Sequence, residues 1–168
     1  MVARRIPQPA WLKVPFQLCF ETKPAAGRYV RGRDFKLVEM VQPILIVEDE
    51  ALIRMGLADS LHSGGFAVAE CSGGVEAMGY IDSAPQLQGL ITDIRLGEGP
   101  TGWEVARHAR RKFANLPVVY VTGDSAADWT VEGVPGSVLL QKPYADAQML
   151  TAMSNLLIEA GPVPPAPD

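Results

Sequence analysis

Pro43-Ile44-Leu45-Ile46-Val47-Glu48-Asp49-Glu50 is the stretch that decides the fold. The apolar run is too short for a helix, which needs about ten residues, and its β-branched side chains suit a strand buried on both faces. An acidic pair follows it at once. Three later stretches repeat the pattern of a short apolar run ending in a polar group: Gly89-Leu90-Ile91-Thr92-Asp93, Pro117-Val118-Val119-Tyr120-Val121-Thr122-Gly123, and Ser137-Val138-Leu139-Leu140-Gln141-Lys142-Pro143. In an open α/β sheet the carboxyl ends of the strands share one edge, so these polar groups can converge although they are far apart in sequence.

Helical periods fill the intervals. Ile53, Leu57 and Leu61 recur on one face until Gly64-Gly65 stops them. Phe66 to Glu70 reads as a second strand. Val75, Met78 and Ile81 mark a second helix, closed by Ser83-Ala84-Pro85, and Trp103, Ala106, Ala109 and Phe113 mark a third. Leu116 to Val121 predicts the fourth strand and Ser125 to Val131 a fourth helix. Ser137 to Leu140 predicts the fifth strand, and Met149, Leu150, Met153, Leu156 and Leu157 an amphipathic last helix ending at Gly161. Five alternating pairs, (βα)5, predict an α/β fold: a parallel sheet with helices on both faces and right-handed crossovers.

Outside this region the pattern fails. Residues 1–42 carry prolines, glycines and scattered aromatics without a period, and read as an irregular basic arm. Met40 stands just before the first strand. Either it is the true start, or the arm is a short docking segment containing Trp11 and Phe16. Residues 43–160 form the expected domain and 161–168 a Pro-rich tail, so the sequence ends where an output domain would begin.

Composition narrows the class. At 168 residues, 48% hydrophobic and 20% charged, the chain reads as an ordinary soluble domain. The net charge of −4 is divided unevenly, with eight basic against three acidic residues in 1–42 and seven against sixteen afterwards. An acidic body argues against nucleic-acid binding. No apolar run approaches a membrane span, and prolines break the leader where a signal peptide needs continuity. Cys19 and Cys71 have neither CxxC spacing nor a His partner, so reduced thiols in a cytoplasmic protein are expected.

The polar groups at the sheet edge carry the chemistry. Glu48, Asp49 and Asp93 each mean little alone, since an acid after a strand also suits a helix start. Together they are like charges that need a cation. Three carboxylates balance Lys142 plus one divalent ion. Oxygen ligands without a Cys or His cluster point to Mg²⁺. Asp49 and Asp93 are the expected direct ligands with the Arg95 backbone carbonyl, and Glu48 acts through water or orients the set. Asp93 is then a nucleophile toward a phosphoryl group, whose oxygens Lys142 and the Thr122 hydroxyl neutralise, while Gly123 leaves room for the donor.

In this order the residues resemble the receiver domain of bacterial response regulators in two-component signalling. The resemblance rests on the acidic pair in ILIVEDE, Asp93 in LITDIRL, Thr122 in VVYVTGDS and Lys142 in QKPY, and it spans residues 43 to about 160. It implies a flavodoxin-like three-layer sandwich with strand order 2-1-3-4-5, a sensor histidine kinase as phosphohistidine donor, and a cis peptide before Pro143. It further implies signalling through altered contacts on the helix 4–strand 5–helix 5 face, with a target protein, a phosphotransfer protein or a second copy.

Two departures stand out. The switch position three residues before the lysine, usually Tyr or Phe, is Leu139. The loop Leu96-Gly97-Glu98-Gly99-Pro100-Thr101-Gly102 is longer than the family's usual loop, and its glycines suggest mobility. The VTGDS segment and the missing aromatic are similar to stand-alone receivers that lack the standard switch. Two other readings remain: an aspartyl-phosphate phosphatase, which needs a second acid where Arg95 stands, and a degenerate receiver serving only as an interaction module. His62 and His108 are expected on helix surfaces, Trp103 and Trp129 in packing, and Arg107, Arg110, Arg111 and Lys112 on a solvated helix face.

Overall fold

The computed structural model describes residues 42–124 and 126–161. The arm as far as residue 41, with Trp11, Phe16, Cys19 and Met40, and residues 162–168 of the tail lie outside the described residues. Within them the strands β1 (Ile44–Val47), β2 (Val68–Cys71), β3 (Gly89–Asp93), β4 (Val118–Thr122) and β5 (Val138–Gln141) form one sheet. Its order is β2-β1-β3-β4-β5 and every pairing is parallel.

The helices are α1 (Ala51–Ser63), α2 (Gly74–Ser83), α3 (Gly102–Lys112), α4 (Trp129–Glu132) and α5 (Asp146–Ala160). Strand alternation divides the core into two layers. Ile44, Ile46, Ile91, Val119 and Val121 face Leu57, Ala58 and Leu61 of α1 and Met149, Met153 and Leu156 of α5. Leu45, Val47, Leu90, Val118 and Tyr120 face Ala77 and Ile81 of α2 and Trp103, Ala106 and Ala109 of α3. Both faces of β1, β3 and β4 are thus sealed, which is why those strands are continuous apolar runs.

The structure corrects the extent of the fourth helix and adds local detail to α2 and α3. Of the fourth helix expected over Ser125 to Val131, Ser125 lies outside the described residues and the α-helix itself begins at Trp129. A 3-10 turn at Ala126–Asp128 leads into the single turn of α4, which stops at Gly133, and Val131 faces solvent. In α2 the buried positions are Gly74, Ala77 and Ile81, whereas Val75 is 70% exposed. The basic run on α3 is not simply a solvated face. The Lys112 ammonium donates to the carbonyls of Ile81, Asp82 and Ala84 at 2.7–2.9 Å and so caps the end of α2. Arg107 pairs with Glu132 at 2.9 Å.

Close backbone approach explains two glycines. A Cβ on Gly74 would overlap the Pro100 carbonyl, and one on Gly102 would overlap the Asp93 carbonyl. The loop after Asp93 is therefore pressed between the starts of α2 and α3. Gly97 (φ 69°) and Gly99 (φ 101°) take left-handed backbone within it, so these glycines serve turns that other residues adopt at a cost. Thr101 caps α3 reciprocally with Glu104, which fixes the loop's far end. Gly102→Ala is expected to cost about 1–3 kcal/mol in urea unfolding, because backbone rather than a flexible side chain has to yield.

Candidate functional site

Register brings the site together. Val47 pairs with Thr92, Asp93 with Val121, and Thr122 with Gln141, so Glu48, Asp93, Thr122 and Lys142 leave the sheet at one edge. The Lys142 amide donates to the Thr122 carbonyl at 2.7 Å, which carries the β4–β5 pairing one residue further. The Lys142–Pro143 peptide is cis.

The Lys142 ammonium lies 2.6 Å from Asp93 Oδ2 and 2.8 Å from Glu48 Oε2. Glu48 is buried, and the side chains of Asp93 and Lys142 are 12% and 19% exposed. Asp49 is exposed beside them. Carboxylate oxygens of Glu48, Asp49 and Asp93 lie within 4.8 Å of one another. Burial pushes the Glu48 carboxyl above the usual range, and Asp93 nearby adds to this, while the hydrogen bond from Lys142 opposes both. Burial works against the Lys142 charge, yet its ionic hydrogen bonds to Asp93 and Glu48 outweigh it and hold the ammonium above the ordinary lysine range.

The donor set fits a hard divalent cation. Three carboxylates meet one ammonium, which leaves an excess of two negative charges in a partly desolvated place. Those three side chains could hold the ion; a fourth expected ligand, the Arg95 carbonyl, belongs to a residue two positions beyond Asp93.

Sequence reasoning missed several supporting contacts. The Arg95 amide donates to Asp93 Oδ1 at 2.9 Å, and the Arg95 guanidinium pairs with Asp124 at 2.8 Å. Arg54, on the first turn of α1, donates to the Glu48 carbonyl at 2.7 Å and lies 3.5 Å from Glu70, fastening the end of β1 to β2. Its position one turn past an acidic pair was the available signal. The buried Thr122 hydroxyl accepts from the Asp124 amide at 3.2 Å. Gly123 is exposed and has open space where a Cβ would project. Leu139 is half-buried against the α2–α3 layer.

The other singled-out residues lie apart from this edge. His62 is exposed. His108 lies 2.6 Å from Asp82 and 2.9 Å from Arg111. Cys71 is a free buried thiol, pushed by burial up to about 12, so it is no nucleophile at neutral pH.

With five parallel strands delivering this acid cluster and its lysine to one edge, the chain belongs to the response regulator receiver domain family, whose model matches residues 44–154. Among solved structures, it is 38% identical to a response regulator receiver protein from Sinorhizobium medicae, with a TM-score of 0.70 over 73% of this chain and 98% of that one. It is 31% identical over 121 residues to response regulator MprA of Mycobacterium avium, covering 71% of this chain and 52% of the relative. It is 27% identical over 115 residues to transcriptional regulatory protein FixJ of Azorhizobium caulinodans, covering 66% and 53%. Sensor kinase CckA of Brucella abortus matches at 29% identity over 68% of this chain and 12% of the kinase. The chain thus spans about half the length of the two regulators. No helix among the described residues is long and apolar enough to cross a membrane.

Proposed function

We propose that Asp93 accepts a phosphoryl group from a phosphohistidine on a sensor kinase, and that the resulting acyl phosphate alters contacts with a target or phosphotransfer protein. The observation that carries this reading is the shared ammonium: Lys142 reaches both Asp93 and Glu48, with Asp49 close by. An Asp93 oxygen forms the new P–O bond as the P–N bond to the donor imidazole breaks, and the imidazole nitrogen leaves with the electron pair. Lys142 is placed to neutralise one phosphoryl oxygen, and the Thr122 hydroxyl and the backbone amides after β4 are near enough to the edge to meet another. Glu48, Asp49 and Asp93 would hold Mg²⁺, which supplies charge neutralisation at the transferring group.

Positioning and neutralisation are what such a transfer asks of the protein. A phosphatase working through an aspartyl phosphate wants an acid two residues after the nucleophile. Arg95 stands there, paired to Asp124. The protein's own chemistry is accordingly limited to acceptance and slow hydrolysis. The complete acid set speaks against a purely structural receiver.

Acetyl phosphate with Mg²⁺ is expected to add one phosphoryl group by intact mass, mapped to Asp93 and released by hydroxylamine. Chelating the metal should slow labelling by about a hundredfold or more, since several kcal/mol of charge neutralisation are lost. Labelling at full rate in chelator, or none with the metal present, would refute the proposal.

A further inference from the structure

Leu139 leaves the usual switch position without an aromatic ring, yet the structure sets one directly beside it. Tyr120 on β4 is the register partner of Leu139 on β5. It is fully buried, and its ring centroid lies 4.4 Å from that of Trp103 on α3. On a strand, residues two apart share a face, so Tyr120 and Thr122 project to the same side of β4.

The Tyr120 hydroxyl accepts from the Val134 amide at 3.3 Å, between α4 and β5. Val134 is held from its other side as well, because Ser137 donates to its carbonyl at 2.6 Å. Ser137 in turn accepts from the Trp129 indole N–H at 3.1 Å. A continuous set of contacts therefore runs from β4 through Val134 and Ser137 to α4.

We infer that Tyr120 is the positioning residue that couples the acceptor site to α4, taking the part that Leu139 cannot take. This rests on the acceptor reading above. Drawing the Thr122 hydroxyl toward a phosphoryl group on Asp93 shifts the end of β4. The ring, fully buried against Trp103 and in the same packed cluster as Leu139, moves with its strand. Its hydroxyl then pulls on, or releases, the Val134 amide, and the single turn of α4 follows because Trp129 is tied to the same loop. A four-residue helix has too few internal hydrogen bonds to resist.

The test is amide hydrogen exchange of residues 129–137, with and without acetyl phosphate and Mg²⁺, and intact mass read on the same samples. In the unmodified protein, phosphorylation should change exchange at Val134 several-fold. Tyr120→Phe keeps the ring and should label at Asp93 to the same extent. Its Val134 amide should exchange roughly fivefold faster at rest, the worth of one ordinary hydrogen bond, and should no longer respond to labelling. Ser137→Ala, at the next contact, should preserve the Val134 response while uncoupling Trp129. A labelled Tyr120→Phe protein that responds like the unmodified one overturns the inference alone. An unlabelled unmodified protein overturns the acceptor reading, and this inference with it.

Discussion

Asp93→Asn is expected to abolish acyl-phosphate formation outright while leaving a folded protein. The amide is nearly isosteric with the carboxyl but is no nucleophile toward phosphorus, so the intact mass should stay unchanged after incubation with acetyl phosphate and Mg²⁺. The fold survives because Lys142 keeps its 2.8 Å partner Glu48, and the packing layers do not use Asp93. In chelator the variant's thermal midpoint should equal or exceed that of the unmodified protein, since one of three crowded negative charges is gone. A phosphoryl group still gained at residue 93, or equal labelling moved to another carboxylate, would refute the assignment.

Lys142→Met should have the opposite signature, a large loss of stability together with a loss of reactivity. The thioether fills much of the same space but strips the cation from a buried Glu48 and a nearly buried Asp93. Breaking a buried ion pair by removing one partner costs about 3–5 kcal/mol, and the partial exposure of this lysine places the expected cost nearer the lower figure. Urea titration in chelator measures it. Added Mg²⁺ should recover part of the loss, because a second source of positive charge remains available to the same oxygens. Phosphorylation by acetyl phosphate should slow by about a hundredfold or more even with Mg²⁺ saturating, as one fixed positive group facing the transition state is missing. Unchanged stability in chelator would mean that the two ion pairs contribute nothing measurable.

Much of this was legible before any coordinates. Short apolar runs flanked by turn residues mark buried strands, and four of the five ended at or beside a polar side chain of the site, so fold and sheet edge were read from one pattern. Lys142 could be nominated because a lone lysine after the fifth strand has the reach to find acids from the first and third.

What stayed hidden depends on neighbours that periodicity does not encode. Val75 has helical spacing with Met78 and Ile81, yet it is Gly74 that packs closely on Pro100 while Val75 faces outward. Lys112 looked like part of a solvated run, although its amine finds three carbonyls at the end of α2. The region before Gly133 has helix-compatible residues, yet α4 buries none of its own: Trp129 is half-buried and Val131 faces solvent, too little to hold a longer helix. Tyr120 was just one more apolar position in its strand. Its importance comes from facing Leu139 across the ladder.

The ammonium just past the end of β5 binds acids delivered by β1 and β3, and so it clasps the edge strand to two strands with which it does not pair. Anyone transplanting this reaction centre to another scaffold therefore cannot copy the acids alone. The outermost strand has to travel with them, because the counter-charge that lets the acids coexist is mounted there.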